Sequence, residues 1–77
     1  MPPEGLRPLP YRKVARRLND FGFRPARQKG SHVRFHHPDG RRVTVPNHPG
    51  QDIQRGTLMA IFEESGIMPE EFLAGLR

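Results

Sequence analysis

The sequence predicts a small α+β domain with element order α-β-β-β-α, a three-stranded antiparallel sheet, helices on one sheet face and a short C-terminal helix. Three observations carry that expectation. Tyr11, Val14, Leu18 and Phe21 recur at helical spacing. Val33 and Phe35, then Val43 and Val45, alternate with polar residues on either side of His37-Pro38-Asp39-Gly40, the pattern of two strands joined by a tight turn. Leu58, Ile61 and Phe62 form a second helical stripe that Gly66 ends.

The elements follow in order. Residues 1–9 hold Pro2, Pro3 and Pro8 with few apolar anchors and read as a flexible N-terminal arm, leaving 10–77 as a single domain. Pro10 suits the first position of a helix, where its missing N–H costs nothing, and Gly22 suits its end, so the first helix is expected over 10–21. A strand over 23–28 contains Pro25, which places it at a sheet edge. Lys29-Gly30 turns the chain into a second strand over 31–36, and the third strand covers 41–45. Pro46-Asn47-His48-Pro49-Gly50 cannot continue a strand and reads as a loop. The second helix runs from Gly56 or Thr57 to Ser65, and Pro69 opens the last, in which Phe72, Leu73 and Leu76 close over the core.

Composition narrows the function classes. The 77 residues allow one modest core, and the absence of Cys removes disulfides and thiolate metal sites. No apolar stretch approaches the roughly 20 residues needed to span a bilayer. Met1-Pro2-Pro3-Glu4-Gly5-Leu6 lacks the basic and apolar regions of a signal peptide, so a soluble, cytoplasmic protein without a membrane partner is expected. The net charge of +5 is unevenly spread. Residues 7–55 hold twelve Arg or Lys, most of them Arg, against Asp20, Asp39 and Asp52, whereas the remainder is acidic through Glu63, Glu64, Glu70 and Glu71. A basic face with an acidic back points to a polyanion as partner.

Strand side chains alternate faces. With Val33, Phe35, Val43 and Val45 turned to the helices, His32, Arg34, His36, Arg42 and Thr44 fall on the open face. An imidazole beside a guanidinium there can move a proton next to a phosphate. Arg34, two residues from His32, can address the same phosphate, and Lys29 and Ser31 flank the histidine. Arg27 and Arg42 complete the expected set of phosphate contacts on the nucleic acid. Gly30 serves the turn.

No metal site and no cofactor are expected. His32 and His36 stand about 13 Å apart along a strand at roughly 3.3 Å per residue, too far for one ion. His36-His37 reads as a solvated turn, and no paired carboxylates accompany the histidines. His48 reads as a structural or partner-contact residue, because nothing in the sequence places it near His32. A cluster of Arg12, Lys13, Arg16 and Arg17 on the first helix could hold RNA or a partner's acidic surface.

The element order resembles the double-stranded-RNA-binding fold. Gly22-Phe23, Gly30-Ser31-His32, Val45-Pro46-Asn47-His48-Pro49, and Gly56-Thr57-Leu58 with Ile61, Gly66 and Phe72 resemble, in that order, the HicA (YcfA-like) family of mRNA interferase toxins over residues 10–74. The resemblance implies a ribosome-independent RNA endonuclease that arrests translation, with mRNA as substrate and a HicB-type antitoxin as partner. It also carries the family's catalytic histidine, which follows Gly-Ser, onto His32. The chemistry then expected is removal of the 2′-hydroxyl proton by His32 and attack on the adjacent phosphorus, leaving a 2′,3′-cyclic phosphate. The group that protonates the leaving oxygen stays unassigned. A non-catalytic RNA-binding module and a basic protein-interaction domain are the alternatives.

Overall fold

The computed structural model describes residues 3–76. Its elements are α1 (Tyr11–Asp20), β1 (Arg24–Lys29), β2 (His32–His36), β3 (Arg42–Pro46), α2 (Arg55–Ser65) and α3 (Pro69–Ala74). The strands form one antiparallel sheet in the order β1-β2-β3. The α+β class and the meander are thus as the sequence predicts. Among the described residues no helix is long and apolar enough to cross a membrane.

Val14 and Leu18 of α1, Val33 and Phe35 of β2, Val43 and Val45 of β3, Leu58, Ile61 and Phe62 of α2 and Phe72 of α3 are buried in one core with Phe23. All four strand residues in that set belong to one face, which leaves the other face open. Each burial of this kind is worth about 1.5–3 kcal/mol relative to exposure. β1 lies at an edge, as Pro25 requires, and is exposed along its whole length. A bulge between Pro25 and Arg27 shifts its register, so that Arg24 pairs with His36 while Arg27 pairs with Arg34. The opposite edge, β3, is shielded by α2, whose Glu64 Oε1 accepts the Thr44 N–H at 3.4 Å.

The helix ends explain two of the sequence motifs. After α1 the Gly22 N–H donates to the Asn19 carbonyl at 3.0 Å and the Phe23 N–H to the Leu18 carbonyl at 2.9 Å, a Schellman stop sealed by buried Phe23 and Leu18. Gly22 has φ +94°, and a Cβ there would meet His37 Nε2 at 2.9 Å. Pro10 caps α1 from just outside it, with ψ 146°, one position earlier than expected. At the end of α2, Gly66 is left-handed and buried Ser65 Oγ donates to the Phe62 carbonyl while accepting the Ile67 N–H.

Two polar residues prove to be structural. His37, expected to be solvated, is half-buried. Its Nε2–H donates to the Phe21 carbonyl at 3.1 Å, its Nδ1 accepts the Asp39 N–H at 3.1 Å, and its ring stands edge-on to Phe23 with centroids 4.9 Å apart. These partners tie the β2–β3 turn to the end of α1. Arg17, expected within a surface cluster, instead clamps α3: its Nε donates to the Phe72 carbonyl at 2.8 Å and its Nη2 to the Glu71 carbonyl at 2.7 Å. Its guanidinium also lies 4.9 Å from the Phe21 ring centroid.

Within the expected arm, Met1 and Pro2 lie outside the described residues. Leu6 is buried in the core, and Leu9 exchanges backbone hydrogen bonds with Ile53 at 3.0 and 2.6 Å.

Candidate functional site on the open sheet face

The strand registers build the site rung by rung. Lys29, His32 and Pro46 are directly opposite one another across β1, β2 and β3. The next rung on the same face holds Arg27, Arg34 and Thr44, and the next Arg24, His36 and Arg42. Directly opposed residues have Cβ atoms about 4.5–5.5 Å apart. Five of these nine positions are cations and none is acidic. Arg24 directs its guanidinium to the carbonyls of Asn19 and Phe23, at 2.9 and 3.0 Å, and so belongs more to the end of α1 than to the open face.

His32 occupies the first rung because of the turn before it. Gly30 and Ser31 form the two-residue connection between paired Lys29 and His32, and Gly30 alone of the two has positive φ, at 59°. That is the II′ arrangement, in which only the first position demands glycine. The Gly-Ser-His motif therefore sets an exposed histidine at the lip of the sheet.

Two depressions meet at His32. One, of about 380 Å³, is lined by Arg27, Lys29, His32, Arg34 and Thr44 and is the cationic hollow of the sheet face. The other, of about 420 Å³, runs past the sheet end between β3 and the loop leading to α2. Its lining includes His32, Thr44, Pro46, His48, Gln51, Asp52 and Thr57. Of the residues expected to contact RNA, Arg27, Lys29 and Arg34 are thus brought together with His32. Ser31 and Arg42 are not. Ser31 sits in the turn, where its carbonyl accepts the Asn47 N–H at 2.6 Å. Arg42 shares the face but stands two rungs away, about 13 Å along the strand.

The structure also places His48, which sequence reasoning had set apart, in the same cleft as His32. A signal for this was present. The turn at His37–Gly40 makes His36 oppose Arg42, and counting four residues back along β2 and forward along β3 brings His32 opposite Pro46, two residues before His48. His48 further borders a shallower depression of about 310 Å³ with Tyr11, Arg12 and Pro49. Tyr11 packs its ring 6.5 Å from that of Phe35, and burial raises its phenol above the ordinary value. Arg12 of the α1 cluster thereby borders the loop, whereas Arg17 of the same cluster is committed to α3.

Among the described residues no three His, Asp or Glu side chains converge as a metal site would require.

Fold and site together define a small α+β domain that presents a cationic, histidine-bearing sheet face. The family described as HicA toxin of bacterial toxin-antitoxin matches residues 11–67, from the first residue of α1 through the stop of α2. The chain belongs to the HicA toxin family, and its role is that of a toxin in a toxin–antitoxin system. No curated protein matches the chain.

Proposed function

We propose that this toxin is an mRNA endoribonuclease in which His32 is the general base. The observation that carries the reading is the exposed imidazole at the end of a carboxylate-free cationic face, where a phosphodiester would be held against it. Arg27, Lys29 and Arg34 bind the backbone phosphates around the cleaved bond, and Arg34, one rung from His32, stabilises the charge that builds on phosphorus. Arg42 holds a phosphate further along the strand, and Ser31 supports the histidine from the turn.

RNA supplies its own nucleophile. His32 removes the proton of the 2′-hydroxyl, and that oxygen attacks the adjacent phosphorus to give a 2′,3′-cyclic phosphate. The reaction needs no metal or cofactor, and a chelator leaves it unchanged. The substrate places the toxin in the cytoplasm. Its partner is a HicB-type antitoxin, for which the same basic face offers a complementary surface.

Induction of the wild type and of His32→Ala in bacteria tests the reading. Growth arrest with mRNA decay in the wild type only, at equal protein levels, supports it. Decay with both proteins moves the active site elsewhere, and decay with neither returns the domain to the class of binding modules. Linear 3′-hydroxyl products in short incubations would sink the mechanism.

A further inference from the structure

We infer that His48 is the general acid that protonates the leaving 5′-oxygen, so that His32 and His48 form a two-histidine centre across one cleft. The assignment rests on the nuclease reading above.

Three observations carry it. Both imidazoles line the same cleft of about 420 Å³, and it is the cleft at the end of the cationic face, not a separate cavity. A phosphodiester resting on Arg27, Lys29 and Arg34 and reaching past His32 enters that cleft next.

The second observation is the rigidity of the loop that carries His48. At its start the Asn47 N–H donates to the Ser31 carbonyl at 2.6 Å, beside His32 itself. The Gln51 N–H then donates to the His48 carbonyl at 3.0 Å, closing a turn with Pro49 and Gly50 at its centre. Gly50 has φ 75°, the type II pattern in which proline comes first and glycine second. At its end Ile53 is buried and bridged to Leu9. His48 is therefore held at a fixed offset from His32, the pre-organisation a proton donor needs.

The third is what His48 does not do. His37 is half-buried and uses both ring nitrogens to hold the fold together. His48 is exposed and, among the described residues, its ring makes no hydrogen bond. Such a ring on a pinned loop has no structural duty to explain its place at the cleft. Cations gather on the His32 side, where negative charge grows on the phosphorane. Asp52 is the one carboxylate among the residues that line the shared cleft.

The step balances without a further reactant. The 2′-hydroxyl proton passes to His32 as the O2′–P bond forms. The P–O5′ bond breaks, and a ring proton of His48 passes to O5′. The products are a 2′,3′-cyclic phosphate and a 5′-hydroxyl, and the two rings return to their starting states by exchange with water.

The test compares two forms of one oligoribonucleotide whose cleavage site has been mapped on transcripts. One carries the natural bridging 5′-oxygen and the other a bridging 5′-sulfur, a leaving group that departs without a proton. His48→Ala and His48→Gln, each with the melting temperature of the wild type, are expected to lose about 10²–10⁴ in rate on the oxygen substrate. On the sulfur substrate both are expected to come within about tenfold of the wild type, while His32→Ala stays impaired on both. Equal losses of the His48 variants on the two substrates, or full activity on oxygen, overturn the assignment and leave the nuclease reading intact. A wild type that cleaves no transcript overturns the nuclease reading, and this assignment falls with it.

Discussion

The Asn47 N–H donates to the Ser31 carbonyl at 2.6 Å, one rung beyond the last paired residues of β2 and β3. That bond joins the residue before His32 to the residue before His48. It makes the sheet end and the loop one rigid piece, although no side chain of either histidine takes part. The placement of the two histidines relative to each other thus depends on a main-chain bond that no inspection of side chains would reveal.

Asn47→Pro removes that donor while leaving both histidines in the chain. The lost bond costs about 0.5–1.5 kcal/mol, to be read from denaturant melts. Cleavage is expected to fall by about 10²-fold at temperatures where the variant remains folded, because a displacement near 1 Å is enough for such a loss. Activity that simply tracks the folded fraction would show that the rung stabilises the domain without positioning the site.

Most of the fold was legible in the sequence because its signals are local. The stripe from Tyr11 to Leu18, the alternation of Val33 and Phe35 with His32 and Arg34, and the glycine stops at Gly22 and Gly66 each act within a few residues. β1 was legible only through Pro25 and the turn after it, since all of its residues are exposed and no alternation marks it. Arg17 was read as part of a surface cluster because its partners in α3 are distant in sequence, and nothing local marked Arg41 as more than the start of a strand. Arg17 reaches Phe72, and the Arg41 guanidinium donates to the Ser65 carbonyl. Half of the site was legible for the same local reasons, through Gly30-Ser31-His32. The His48 half depends on register and loop path together, and periodicity carries neither.

The cationic hollow makes a quantitative prediction about salt. Each phosphate held by a cation on a single strand contributes about 0.7 to the slope of log K against log salt. Replacing Arg27, Lys29 and Arg34 with Ala should therefore shrink the slope by about 2 in binding titrations with catalytically inactive His32→Ala as parent. An unchanged slope would remove these three residues from the RNA footprint.

Arg17 makes the opposite kind of prediction. Its side chain is only 12% exposed and donates to Phe72, Glu71 and Asp20, the last at 2.9 Å. Arg17→Ala should cost about 2–3 kcal/mol of stability, mainly by releasing α3. Lysine cannot restore the planar fork that reaches two carbonyls, so Arg17→Lys is expected to recover less than half of the loss. In the same titrations neither change should alter the salt slope per folded molecule. A slope that falls with Arg17 would return this residue to the surface cluster.

The β2–β3 turn gives the domain a defined response to acid. The Arg41 N–H donates to Asp39 Oδ1 at 3.0 Å and the Arg41 guanidinium to Oδ2 at 2.8 Å. The backbone bond is the largest influence, and with the guanidinium it outweighs the desolvation that opposes it, holding the Asp39 carboxyl below its ordinary value of 3.8. A carboxyl lowered in the folded state contributes stability that is present above the ordinary value and lost as pH falls through the lowered one. The stability gap between the wild type and Asp39→Asn should accordingly be widest near pH 6 and close below about pH 4. Urea melts of the two proteins across that range decide the matter. A gap that stays constant with pH would mean that Asp39 acts through its turn geometry, which asparagine also satisfies, and not through its charge.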